Sequence, residues 1–258
     1  MVVPDMSPDI SPDIQEAAAI LKSSKRAFVF TGAGVSTESG IPDFRSPGGV
    51  WSKYRMITYQ EFLADEEARR EQWRLHRDMY REFAGCKPNA AHKVITELYN
   101  RGVIEAVVTQ NIDSLHQESG MPDEDVLELH GNEKRVKCLE CGAMYGRDEI
   151  QQLLSSGTEI PLCEKCGGIL KTTTIWFGEP MPMETLDRSF ELAGVCDCCV
   201  VVGSSLTVQP AAAVPEHAVG TGAKLIVINR DLTAMDSYAD VVISASAGEA
   251  LQAIAARV

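Results

Sequence analysis

Long apolar runs are missing from this chain of 258 residues. No uncharged stretch approaches the ~18 residues that a membrane-spanning helix needs, so no membrane span is expected. The first residues lack a basic start followed by an apolar run, and no secretory leader is expected either. Basic charge is also scarce: 24 Lys and Arg stand against 37 Asp and Glu, a formal net charge of −13. Such a surface repels phosphate backbones, which argues against direct nucleic-acid binding. It attracts basic partners instead, lysine-rich protein segments among them. What remains is a globular composition, 45% hydrophobic and 24% charged, with enough chain for one sizeable core or a large domain and a small satellite.

Several short apolar runs end in a Gly or polar turn: Arg26–Phe30, Ile104–Thr109, Val126–Leu129, Thr174–Phe177, Cys199–Gly203, Lys224–Asn229 and Val241–Ile243. Helix-like stretches such as His92–Arg101 and Ala211–Val219 lie between many of them. Buried strands alternating with helices indicate an α/β fold with a Rossmann-like parallel sheet. Residues 15–45, 88–132 and 172–258 are assigned to it. Residues 46–87, charged and helical, and 133–171, which hold two Cys pairs, break the pattern and are expected to form a small helical and zinc-ribbon lobe. Residues 1–14 repeat Ser-Pro-Asp-Ile and are expected to be a mobile tail, although Ser11-Pro12 also suits a helix start, with Ile14, Ala17, Ala18 and Leu21 at helical spacing.

Eight cysteines are present. Cys138-x-x-Cys141 and Cys163-x-x-Cys166 stand 21 residues apart, each closed by a glycine, Gly142 and Gly167. That spacing favours one tetrahedral zinc over disulfides in a chain of this size. Four thiolates leave no position for water, so the zinc is expected to be structural. Together these features point to a cytoplasmic protein. Cys196, Cys198 and Cys199 sit where a buried strand begins and read as small packed hydrophobes; Cys86 has no assignment.

Arg26–Phe30 runs into a glycine turn, Thr31-Gly32-Ala33-Gly34, an arrangement that aims backbone N–H groups at an anion and lets a pyrophosphate approach. Thr37 stands where a third glycine is usual, and no acidic residue follows about 20 residues on at the end of a second strand, so the turn alone is a weak signal.

The stretch continues as Val35-Ser36-Thr37-Glu38-Ser39-Gly40-Ile41-Pro42-Asp43-Phe44-Arg45. Over its length it resembles the signature of the sirtuin family. Further matches follow in that family's order: Lys87-Pro88-Asn89 with His92, Thr109-Gln110-Asn111-Ile112-Asp113-Ser114-Leu115-His116, Leu129-His130-Gly131-Asn132, both Cys pairs, Phe177-Gly178-Glu179, Gly203-Ser204-Ser205-Leu206 and Ile228-Asn229. The resemblance spans roughly residues 15–258.

It implies NAD-dependent removal of acyl groups from protein lysines, with nicotinamide leaving a ribose carbon that the acyl oxygen attacks. His130 is then the expected base, since an imidazole can take a proton near neutral pH. Gln110 and Asn111 are expected at the ribose and a nearby water, Ile112 and Asp113 at the nicotinamide carboxamide, with Asn111 and Asp113 counted as catalytic beside His130. Gly32, Ala33, Gly34, Asp43, Phe44 and Arg45 complete the nicotinamide and phosphate side. Gly203, Ser204 and Ser205 are expected at phosphate and ribose, Asn229 at the adenosine ribose and Ala247 at adenine. His116 is given a supporting hydrogen bond only.

By the same resemblance Ile175, Trp176, Phe177 and Gly178 meet an extended substrate peptide, a mode that reads little sequence. Sirtuins that favour succinyl chains carry a Tyr-x-x-Arg pair. Its expected places here are His76 and Met79, so acetyl and longer apolar chains are expected over succinyl, unless a shift of one or two residues brings Arg77 or Arg81 to the pair's place. Mono-ADP-ribosyl transfer from the same cleft stays an alternative, and a non-catalytic NAD- or zinc-binding module a weaker one. Protein targets and oligomeric state are not legible.

Overall fold

The computed structural model describes residues 11–43, 49, 52, 54–83 and 85–258. Its centre is a sheet of six parallel strands: β1 (Ala27–Thr31), β2 (Ile104–Thr109), β3 (Val126–Glu128), β7 (Cys198–Val202), β8 (Lys224–Ile228) and β9 (Val241–Ile243). Their order is β3-β2-β1-β7-β8-β9. The order reverses between β1 and β7, and in open sheets of this kind the crevice at that switch is where ligands bind. The strands read as unbroken apolar runs because both faces are covered. Val29 and Val200 join one core with α1 (Ser11–Ser23), α4 (Ala90–Asn100) and α9 (Ala247–Ala255). Phe28, Phe30 and Val201 point the other way, against α7 (Met183–Val195) and α8 (Ala213–Gly220).

The four helical-period residues of α1 are all buried. The tail expected over 1–14 therefore ends sooner than its prolines suggested: Ser11 already opens the helix and Ile14 lies in the core. Pro12 does not oppose this, because first-turn N–H groups have no helical partner to lose.

A second, antiparallel sheet has the order β5-β4-β6, from β4 (Arg135–Cys138), β5 (Met144–Gly146) and β6 (Leu170–Thr172). It shares one apolar cluster with α2 (Tyr59–Ala64), α3 (Glu66–Phe83) and α6 (Arg147–Ser155), in which Phe62, Trp73, Val136, Ile150 and Leu170 meet. Two distant stretches of sequence thus build one small core. β6 runs to Thr172, one residue past the boundary drawn at 171.

The strand expected over Thr174–Phe177 does not form. Its backbone groups are engaged elsewhere. The buried Lys171 ammonium donates to the carbonyls of Thr172 (3.0 Å) and Thr174 (2.5 Å), the Trp176 N–H goes to the Glu179 carboxylate (3.0 Å), and the Phe177 carbonyl caps α2 at the Tyr59 N–H (3.0 Å). The Ile175 N–H joins it to the turn after β3 by donating to the His130 carbonyl at 2.8 Å.

Candidate active site

Two glycine turns meet above the sheet's switch point. The Gly34 N–H donates to the Gly203 carbonyl at 2.8 Å, and a Cβ on Gly34 would stand 2.7 Å from the Gly203 Cα. Gly203 has φ +63°, and a Cβ there would run into the Val35 amide nitrogen. Close approach of one turn to the other is thus the immediate reason for these glycines, and it leaves the ends of β1 and β7 open as a cleft floor.

A cavity of about 480 Å³ starts at this floor, where Gly32, Ala33, Gly34, Asp43, Gly203, Ser204, Ser205 and Asn229 line it. It passes Gln110, Asn111, Ile112 and His130 and ends against Ile57, Gln72, Leu75, His76, Met79, Thr174, Ile175, Trp176, Phe177 and Gly178. A second cavity of about 190 Å³ adjoins it and is lined by Thr37, Glu38, Asn229 and Ala247, among others. The expected catalytic, NAD and peptide residues that are described thus border these two cavities, apart from Asp113. Asp113 lies directly beneath the first. Phe44 and Arg45 lie outside the described residues.

The loop after β2 is held from below. The Thr31 hydroxyl donates to the Thr109 hydroxyl (2.7 Å), which accepts the Asn111 N–H (3.0 Å). His116 Nε2 lies 3.0 Å from the Thr31 hydroxyl. That hydroxyl's proton goes to Thr109, so Nε2 carries the ring's N–H and donates. Ser36 joins the two catalytic candidates: its hydroxyl donates to Asp113 at 2.6 Å and accepts from the Asn111 carboxamide at 3.1 Å. Asp113 also caps the turn at the Leu115 N–H (2.9 Å). Gln110 spans the cleft and donates to the Ser204 hydroxyl at 2.9 Å. Asn89 is the N-cap of α4, accepting from the N–H groups of Ala91 and His92, and it also holds the Val35 carbonyl at 2.7 Å.

His130 follows β3 on a turn that needs Gly131, whose φ is +70° and whose Cβ would strike the Thr173 carbonyl. Its Nδ1 lies 3.1 Å from the Gln110 carbonyl oxygen. A carbonyl can only accept, so Nδ1 carries the proton and the lone pair of the neutral ring sits on Nε2. That tautomer is the one a base needs. Below the loop, burial pushes the pKa of His92 down against the opposing pull of Asp113 and Glu38, and burial pushes His116 well down, with His92 adding to it.

The four cysteines of the two pairs meet at one end of the small lobe, with their sulfurs all within 4.8 Å of one another. Cys138 and Cys166 are 3.5 Å apart, Cys141 and Cys163 3.6 Å. Tetrahedral zinc with Zn–S bonds of about 2.3 Å spaces its sulfurs close to this, so the thiol set fits the ion. The Cys196, Cys198 and Cys199 side chains are buried, and burial raises all three thiol pKa values, to about 11 for Cys196 and about 12 for Cys198. They are poor nucleophiles.

Three participants escaped the sequence reading as functional groups: Ser36, Gln72 and Lys171. Ser36 lies inside the first motif, and Gln72, Leu75, His76 and Met79 carry an i, i+3, i+4, i+7 signal for one helix face, so both were within reach.

The family model described as Sir2 family matches residues 32–210. The NAD-dependent protein deacetylase of Thermodesulfovibrio yellowstonii is 45% identical over 241 residues, 93% of each chain. A Sir2 structure with a deacetylated p53 peptide and 3'-O-acetyl ADP ribose superposes with a TM-score of 0.87 at 34% identity, covering 93% of this chain and 96% of that one. The structure of Sir2Af2 bound to a myristoylated histone peptide gives 0.79 at 40% identity over 96% of both chains. With its motifs gathered around one cleft, the chain belongs to the Sir2 family.

Proposed function

We propose that this protein is an NAD-dependent protein-lysine deacylase that removes acetyl and other uncharged acyl groups and carries one structural zinc. The observation that carries the reading is the His130 tautomer, set by the Gln110 carbonyl at 3.1 Å, on the wall of a cavity that reaches from two glycine turns to the α3 face and Thr174–Gly178. A relative that is an NAD-dependent protein deacetylase, and Sir2 structures with 3'-O-acetyl ADP ribose and with a myristoylated histone peptide, support it.

Gly32, Ala33, Gly34, Ser204 and Ser205 would hold the dinucleotide's phosphates, and Asn229 and Ala247 its adenosine end. Phe44 would shield the reacting carbon from water and Arg45 would answer a phosphate charge, as the resemblance implies. NAD, when bound, supplies the ribose carbon that takes over the acyl group's oxygen, and the nicotinamide that leaves. Asn111, Ile112 and Asp113 fix the nicotinamide end, held in register by Ser36. His130 accepts a proton at Nε2 from a substrate hydroxyl. Ile175, Trp176, Phe177 and Gly178 meet the peptide and its lysine stem and keep water from the reacting atoms.

Basic, lysine-rich segments are the targets that the net charge of −13 favours. The thiol-based zinc site belongs in a reducing compartment, the cytoplasm in this reading. The test is turnover of acetyl-peptide with NAD, following nicotinamide, deacylated peptide and any ADP-ribosylated protein. ADP-ribose appearing on protein without acyl loss would sink the deacylase reading.

A further inference from the structure

The cavity's far end is not uniformly apolar. α3 presents Gln72, Leu75, His76 and Met79 to it along one face. Two of the four are polar and nearly sealed, Gln72 at 6% and His76 at 3% exposure. His76 Nδ1 lies 2.9 Å from a Glu133 carboxylate oxygen, so it donates there. The neutral ring then has its lone pair on Nε2, and the Gln72 carboxamide nitrogen, 3.1 Å away, donates to it. This fixes which way the carboxamide faces. Its oxygen receives no hydrogen bond from the described residues and keeps accessible surface in a side chain that lines the cavity.

Among the described residues no uncommitted cation is seen at that oxygen. Arg147, the nearby guanidinium, is itself buried and bonded to Glu133 at 3.2 Å and to the His76 carbonyl at 2.9 Å. The cation is therefore committed to other partners, while the Gln72 oxygen has hydrogen-bonding capacity left over. An unsubstituted acyl chain pressed against it would strip water from the Gln72 oxygen without replacing the bond. A carboxylate would meet an oxygen and no net positive charge. A hydroxyl can donate to the oxygen and accept from the remaining amide N–H.

We propose that Gln72, positioned by His76 and Glu133, makes this enzyme prefer short acyl-lysines that carry a hydroxyl over unsubstituted chains of equal length. The inference rests on the deacylase reading above and narrows its substrate class. A site that bonds a substrate hydroxyl discriminates against the analogue that lacks it, because its own polar group is then left unpaired.

The experiment compares kcat/KM on one peptide carrying acetyl-, butyryl-, 3-hydroxybutyryl-, 4-hydroxybutyryl- or succinyl-lysine, in the wild type and in Gln72→Leu. The expected wild-type result is a preference of about tenfold for one hydroxybutyryl peptide over butyryl, with succinyl poorest; a single neutral hydrogen bond is worth about that ratio. In Gln72→Leu the ratio should fall to one or below. Equal turnover of butyryl and both hydroxybutyryl peptides by the wild type overturns the proposal, as does a preference that survives Gln72→Leu. If that variant does not fold, calorimetric binding of the same peptides to His130→Ala reads the same ratio, and equal affinities overturn it. Loss of acetyl from the wild-type control separates the two claims: without it the deacylase reading itself fails.

Discussion

At the scale of single residues, the cleft depends on a few atoms whose partners leave them one role. His130 is held in one tautomer by the Gln110 backbone carbonyl, which leaves Nε2 as the proton acceptor. Replacing it with Ala should lower deacylation by ~10²–10⁴-fold while NAD affinity stays within a few-fold, because the dinucleotide is read as bound by other residues. Turnover and NAD titration on His130→Ala check this, and near-wild-type turnover would assign the proton to another group. Gly203 bears the opposite kind of constraint, steric rather than chemical. Gly203→Ala would place a methyl against the Val35 amide in a left-handed backbone position, forcing the two glycine turns apart. NAD affinity should fall by more than tenfold, with a lower melting temperature, and a variant binding NAD normally would show that the turns can separate without harm.

At the scale of elements, much was legible because local pattern and tertiary role agree. Ile104–Thr109 and Val241–Ile243 are strands at the bounds their apolar runs predict, since a strand covered on both faces needs no alternation. Thr174–Phe177 has the same β-branched and aromatic composition yet forms no strand, because the Lys171 and Glu179 side chains and the distant backbone of Tyr59 and His130 take its hydrogen bonds. No local pattern announces that Lys171 will fold back on Thr174 and rest 4.5 Å from the Trp176 ring. Ser36 was hidden for a related reason: its importance lies in bridging residues 75 and 77 positions away. The two Cys pairs were legible because metal spacing is a local property, although the apolar cluster behind them also draws on Phe62 and Trp73. A small lobe with so little core should lean on the ion. Elemental analysis is expected to find one zinc per chain. Cys141→Ala should lose it and melt at a markedly lower temperature, with chelators having the same effect on the wild type. Folded, active protein free of zinc would overturn this.

At the scale of the whole molecule, two buried histidines tie stability to pH. His92 on α4 and His116 after β2 lie with ring centroids 4.9 Å apart and planes tilted by 58° beneath the active-site loop, with His92 Nε2 and His116 Nδ1 buried and unpartnered among the described residues. Burial lowers both pKa values from the ordinary 6.5, and each charge would oppose the other. The sign follows from which state binds protons. Below 6.5 the unfolded chain protonates both rings while the native protein resists, so their contribution is fully present above 6.5 and is lost as pH falls from there through the folded values. Asp197 acts in a lower window. Burial alone would raise its pKa, but hydrogen bonds from the Ser24 hydroxyl and the Lys25 and Arg26 N–H groups outweigh this and hold it below 3.8, so its contribution fades only under more acidic conditions. Partial neutralisation of the net charge of −13 acts the other way as pH falls, by relieving self-repulsion. The histidine contribution is therefore isolated by difference. The melting temperature of the wild type, followed from about pH 7.5 to about pH 5, should drop more steeply than that of a His92→Gln, His116→Asn double variant. Parallel curves would mean that the pair takes up protons in the native state, and that burial does not keep these rings neutral.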